Sequence, residues 1–414
     1  MGTYADIINK RKKEWNCSSL MDSAHAERGA KIPFSSPLLN YSTYGGIPRG
    51  QITEFFGNPG GGKTSTSIDI CKNANRIFNE EYQQKISELR EKSIKDKVAA
   101  SELAELEERG VKRVLYVDLE HSFDSEWAKK LGINFDAIDI MQPPDVVAED
   151  LLQTIQELIE TGELGLVVLD SVPSLTTRQE LEKKYGERTV ASLAGLLTIF
   201  CRKLVPILKR YDTTFIFINQ TRDNMDNPYV VNTPGGKALK FYCSLRIEFK
   251  IGAPVDFLGN ELPSNAENPS GHIVTAKIVK QKSAPWDRKN ASYYLMAHTG
   301  IEVEMDFAQL AVKKYGIIRK AGAWFTCCFP DTGEVLTDER GVPVKLNGMA
   351  KVLDFLKLNP DYFKRIQDYI LADIAGEDLA AQSEGESELS ESADEYEAYN
   401  TSVSATDYQG VNVE

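Results

Sequence analysis

Apolar residues in this chain gather into short runs set apart by longer amphipathic stretches. The runs at 52–56, 114–117, 166–169, 214–218 and 244–249 are too short for buried helices and rich in β-branched and aromatic side chains. They predict strands covered on both faces. Helical periodicity fills the gaps between the first four, as at 65–78 and 148–160. Such alternation predicts an α/β fold, a mostly parallel sheet with helices packed against it. Two further strands are expected at 272–280 and 292–297, followed by a small mixed region over 307–374.

Two segments break this rhythm. Residues 79–113 are a dense mixture of Glu, Lys and Arg with sparse apolar positions (Ile86, Leu89, Leu103, Leu106), which predicts a solvated helical insertion or hairpin. Near the N-terminus, Tyr4, Ile7, Ile8 and Trp15 fit one face of a short helix that also carries the basic run Lys10 to Lys13. The expected organisation is an arm over 1–32, a core over 33–306 interrupted at 79–113, a small α+β domain over 307–374 and a tail over 375–414.

Charge changes this picture at one end. The 414 residues include 48 basic and 61 acidic ones, a formal net charge of −13. From Gly376 onward there are 11 acidic residues and no Lys or Arg, so the tail is expected to stay disordered. The remaining 375 residues hold 48 basic against 50 acidic side chains. That body is close to neutral and can still carry a basic groove for a polyanion. No apolar run approaches the ~20 residues a membrane span needs, and the N-terminus has no apolar signal core. Six cysteines without metal-ligand spacing predict neither a zinc site nor a disulfide scaffold. The expected setting is the cytoplasm, with no membrane partner.

Chemistry is concentrated after the strands. Gly57, Asn58, Pro59, Gly60, Gly61, Gly62, Lys63 and Thr64 match G-x-x-x-x-G-K-[ST] between an expected strand and an expected helix, with Ser65 next in line. Glycines let successive N–H groups turn toward phosphate oxygens, and the helix N-terminus adds positive potential. Lys63 is expected on the β- and γ-phosphates of ATP and Thr64 on Mg²⁺. Asp170, ending the run 166–169, is the expected second group of the metal site. Glu120 follows the run 114–117 and Gln220 follows 214–218, and both should reach the carboxyl edge of the sheet, where ligands of open α/β folds bind. Glu120 is the candidate base that activates water.

Taken together, these motifs resemble the RecA family of ATP-dependent strand-exchange recombinases over 33–370. Val117 to Asp124 resembles the family's catalytic-glutamate segment, and Phe217 to Arg222 its γ-phosphate-sensing strand end. Gly235 to Tyr242 resembles the close of its second DNA loop, Val279 to Pro285 the segment whose lysines reach a neighbour's ATP, and Lys320 to Trp324 the start of its small C-terminal domain. A phage-encoded or divergent bacterial member fits best.

The resemblance implies a RecA-like core that polymerises on single-stranded DNA and pairs it with duplex, hydrolysing ATP between subunits. It implies catalytic roles for Lys63, Glu120 and Gln220, and contacts of Asp124 and Trp127 with adenine. Lys280 and Lys282 would complete a neighbour's site. A first DNA loop, about 177–189, would offer Arg178, Lys183, Lys184 and Arg188. A second, about 222–235, would offer Arg222, Tyr229, Val230, Gly235 and Gly236, with Lys237 after it. Single-strand-binding and loader proteins are the accessory partners it suggests. The chain departs from the family in its 79–113 insertion and in Asp223 and Asp226, which leave one basic residue in the second loop. Alternative readings are a hexameric helicase or motor on the same core, and a nucleotide-binding mediator without turnover.

Overall fold

Among the described residues nine strands form the main sheet, in the order β11-β10-β9-β8-β3-β7-β6-β4-β5. The computed structural model describes residues 30–94, 96–184, 192–222 and 232–374, within the compact unit Ala30–Ile374. The expected arm (to residue 29) and acidic tail lie outside the described residues. Six strands run parallel: β3 (Ile52–Gly57), β4 (Arg113–Asp118), β5 (Ile138–Met141), β6 (Leu164–Asp170), β7 (Thr214–Gln220) and β8 (Leu245–Val255). Beyond β8 the direction reverses through β9 (Gly271–Gln281), β10 (Asn290–Met296) and β11 (Gly300–Ile301). A two-stranded ribbon of β1 (Lys31–Ile32) and β2 (Ile47–Pro48), with the short helix α1 (Pro37–Thr43) between them, leads into β3.

Because successive strand residues face opposite ways, each central strand feeds two cores. Val114 and Tyr116, Leu166 and Val168, Ile216 and Ile218 meet Ile70, Ala74 and Phe78 of helix α2 (Lys63–Ser93). Leu115 and Val117, Val167 and Leu169, Phe215 and Phe217 meet α5 (Ala148–Glu160) and α7 (Ser192–Tyr211) on the other side. A third core joins α9 (Val303–Lys313), strands β12 (Ile318–Ala321), β13 (Trp324–Cys327) and β14 (Lys345–Asn347), α10 (Met349–Leu358) and helical residues 360–374.

The charged segment 79–113 is a helical hairpin whose first arm continues the helix that follows the phosphate loop. Helix α2 runs unbroken past Phe78 to Ser93, and α3 (Lys97–Arg109) packs back on it. Ile86 and Leu89 are buried there, and Arg90 pairs with Glu107 at 3.0 Å. Gly165 of β6 makes the close approach of α2 possible, since a Cβ at that position would lie 2.4 Å from the Phe78 ring.

Candidate active site

The phosphate loop hangs from the carboxyl end of β3. Gly57 passes so near β8 that a Cβ would sit 2.1 Å from the Phe249 carbonyl oxygen. Gly62, at φ 86°, caps α2 in the left-handed region that disfavours side chains. Lys63 and Thr64 open that helix, so their side chains rise from its first turn beside the exposed loop residues Asn58, Pro59 and Gly60. The Lys63 ammonium donates to the carbonyls of Gly57 at 3.0 Å and Asn58 at 2.8 Å. Burial lowers its pKa, against the opposing pull of Asp170 and Glu120. A cation held at the loop mouth beside a helix N-terminus suits a polyphosphate.

Asp170 closes the floor of this site. Its Oδ2 accepts from Thr64 Oγ1 at 3.0 Å and from the buried Tyr116 hydroxyl at 2.7 Å. Burial pushes the carboxyl up to about 6, with Glu120 and Asp118 adding to the rise and the two hydroxyl donors opposing it. A hydroxyl and a carboxylate in direct contact fit a divalent cation of the Mg²⁺ type, whose contribution when bound is to offset charge on the phosphate oxygens.

Glu120 stands at the rim. Its Oε1 accepts from the Ser171 hydroxyl and from Gln220 Nε2, the latter at 2.9 Å. Thr221, next to Gln220, joins the phosphate loop through its hydroxyl on Asn58 Oδ1. Sequence reasoning missed Asp118, which sets the turn that presents Glu120. Fully buried, it accepts from the N–H of Glu120 at 3.2 Å, the N–H of Phe123 at 2.8 Å and Gln142 Nε2 at 2.8 Å. An Asp two residues before the candidate base, at a strand end, was the available signal.

The remaining candidates lie around this centre. Asp124 caps α4 (Ser125–Lys130) by accepting from the Trp127 N–H at 3.0 Å, and the half-buried Trp127 ring packs on the core. Arg178 opens α6 (Arg178–Leu181) and donates to both oxygens of Asp150, at 2.9 and 3.0 Å. Lys183 and the exposed Lys184 follow it, whereas Arg188, Tyr229 and Val230 lie outside the described residues. A cleft of about 430 Å³ is lined by Thr176, Glu180, Ser192, Arg222, Pro234 and Gly235 among others, so it joins the ends of both expected DNA loops. Gly236 follows, a Cβ there meeting Ala194 at 2.8 Å, and the exposed Lys237 caps α8 (Ala238–Tyr242).

Lys280 and Lys282 stand apart from the phosphate loop. Lys280 donates to the carbonyls of Lys240 at 2.6 Å and Phe241 at 3.0 Å, and Lys282 to Phe241 at 3.2 Å, all at the negative C-terminal end of α8. Lys280 pairs in register with Arg246, near the start of β8. The two lysines thus mark the amino edge of the parallel strands, while Gly57, Asp118, Asp170 and Gln220 mark the carboxyl edge.

A glycine-rich loop leading into a helix N-terminus, a hydroxyl–carboxylate pair beneath it and a bridged glutamate at the rim together make this a P-loop nucleoside-triphosphatase. Comparison with known proteins narrows the class. A family model described as the RecA N-terminal domain matches residues 84–302. The chain is 31% identical to the RecA protein of Streptomyces rimosus, covering 85% of this chain and 80% of that one. It is 31% identical to RecA of Thermus aquaticus (83% and 85% covered) and 32% identical to RecA of Thermus thermophilus (86% and 89%). The chain belongs to the RecA family.

Proposed function

We infer that this chain is an ATP-dependent DNA recombinase, a DNA-dependent ATPase of homologous pairing and strand exchange. The observation that carries the site assignment is the 2.9 Å bond from Gln220 to Glu120. A γ-phosphate at the loop would compete for that amide, so the residue entering the second DNA loop also reads the nucleotide.

In this reading Glu120 orients the attacking water, Lys63 and the loop N–H groups hold the phosphates, and Thr64 with Asp170 holds Mg²⁺. Asp124 and Trp127 flank the adenine. The cleft between the two loop ends takes single-stranded DNA, where backbone donors and loop side chains contribute more than cations. Lys280 and Lys282 serve the next subunit's nucleotide in a homo-oligomeric filament. A patch on one edge that completes a site on the opposite edge is a head-to-tail interface, and such an interface builds open helices when its rotation does not close. The domain division is proposed as arm 1–32, core 33–306, small domain 307–374 and tail 375–414. Among the described residues no helix is long and apolar enough to cross a membrane, and we place the protein in the cytoplasm, served by single-strand-binding and loader proteins.

ATP turnover with and without single-stranded DNA tests the assignment. Wild-type protein is expected to be stimulated by DNA, and Glu120→Gln to bind ATP while losing at least about 100-fold in turnover, within the usual range for removing a general base. Turnover near wild type in Glu120→Gln removes the role of that residue. An inert wild type points to a mediator, and unwinding of forked duplex by closed hexamers points to a helicase.

A further inference from the structure

A charged cluster lies buried beneath the site just described. Glu54 of β3, three residues before Gly57, is fully buried. Its Oε2 accepts from Arg246 Nε at 2.5 Å, and the Arg246 guanidinium lies 4.7 Å from the Phe56 ring centroid. Its Oε1 accepts from Asn219 Nδ2 at 2.9 Å. That same amide nitrogen donates to the Pro234 carbonyl at 3.1 Å. The Asn219 side chain thereby joins the strand of the phosphate loop to the residue that leads into Gly235 and Gly236, and it does so one position before Gln220.

An amide NH₂ has two protons, and here both are used. The bond to the buried carboxylate is charge-assisted and the stronger of the two, so the amide stays with Glu54. A shift of the β7 end must then carry Pro234 with it or break a bond in the interior. The Gly235 backbone that follows packs closely on Leu197, with no room for a side chain: a Cβ there would lie 2.6 Å from Leu197 Cδ1. We propose that Asn219, anchored by Glu54, is the positioning residue that couples nucleotide at the phosphate loop to the close of the second DNA loop. The proposal rests on the functional reading above and adds to it a specific connection.

Coupling is reciprocal and is read as one number, the ratio of single-stranded DNA affinities with and without a slowly hydrolysed ATP analogue. Full-length wild type, Asn219→Asp and the exchange pair Glu54→Gln with Asn219→Asp are compared, together with their melting temperatures. Asn219→Asp removes both amide donors; the one proton that the paired carboxyl groups share stays between positions 54 and 219. Pro234 thus loses its donor, and the ratio is expected to fall toward one, a loss of about tenfold or more within the ordinary range of coupling. The exchange pair restores an amide–carboxylate bond between positions 54 and 219 and returns the buried negative charge of the pair to one, but offers Pro234 no donor. Melting temperature is expected to recover in that pair while coupling stays lost. Coupling that returns together with stability, or that persists in Asn219→Asp, overturns the proposal and leaves the functional reading standing. A wild type whose DNA affinity ignores nucleotide overturns both.

Discussion

A carboxyl group removed from water titrates late, and Asp306 is such a group. It lies in the first turn of α9 with no exposed surface, accepts from the Ser36 hydroxyl, and burial raises its pKa well above the ordinary carboxylate value despite that donor. A raised folded pKa means that the native state holds a proton which the unfolded chain releases above about 3.9. The resulting stabilisation is complete below that value and is lost as pH rises toward the folded pKa. Asp306→Asn keeps an acceptor for Ser36 and removes the titration. Urea unfolding between pH 5 and 8 is expected to show wild type weakening as pH rises and Asp306→Asn with a flatter profile. Identical slopes would mean that Asp306 does not titrate in this range.

Elements divide the labour differently from residues. Thirty-one residues of α2 at 1.5 Å each make a rod of about 46 Å, longer than the six- and seven-residue central strands it packs on. Its first half positions Lys63 and Thr64 and packs through Ile70, Ala74 and Phe78, whereas its second half is covered chiefly by α3. Ile86 and Leu89 are buried in that second half but belong to none of the three main cores. Leu89→Ala is therefore expected to cost the hairpin about 2–5 kcal/mol of local stability, as large-to-small changes at buried sites do. Hydrogen exchange should quicken across 82–109 and stay slow in β3, β6 and β7. Equal loosening of the central strands would show that the hairpin and the sheet unfold as one unit.

At the scale of the whole molecule the question is which edge meets which. Partial burial and the neighbouring Lys282 both lower the pKa of Lys280, and the two ammonium groups share the Phe241 carbonyl. Lys280→Ala with Lys282→Ala is expected to leave nucleotide binding by the isolated subunit within about twofold and to abolish cooperative assembly. Mixing this variant with Lys63→Ala protein decides between a shared and a private site. Turnover that depends on the mixing ratio more steeply than independent subunits allow supports sharing, and simple addition of the two activities removes it.

Sequence alone determined whatever depends on neighbours along the chain. Short apolar runs specified β3, β4, β6 and β7, since strand burial is written in the residues of the strand itself. The glycine-rich turn before Lys63 and the aspartate that ends β6 were legible for the same reason. Less was legible where charge hid a packed face: 79–113 reads as solvated because only Ile86 and Leu89 of the extended α2 turn inward, and their cover comes from α3. Only the tertiary structure brought Gln220 to Glu120 across 100 positions and gave Asp118 its three donors. It alone set Lys280 and Lys282 on the edge opposite the phosphate loop and disclosed Glu54, which in the sequence is one of two polar residues inside the run 52–56. Such facts depend on the order and direction of strands in the sheet, which no local pattern encodes.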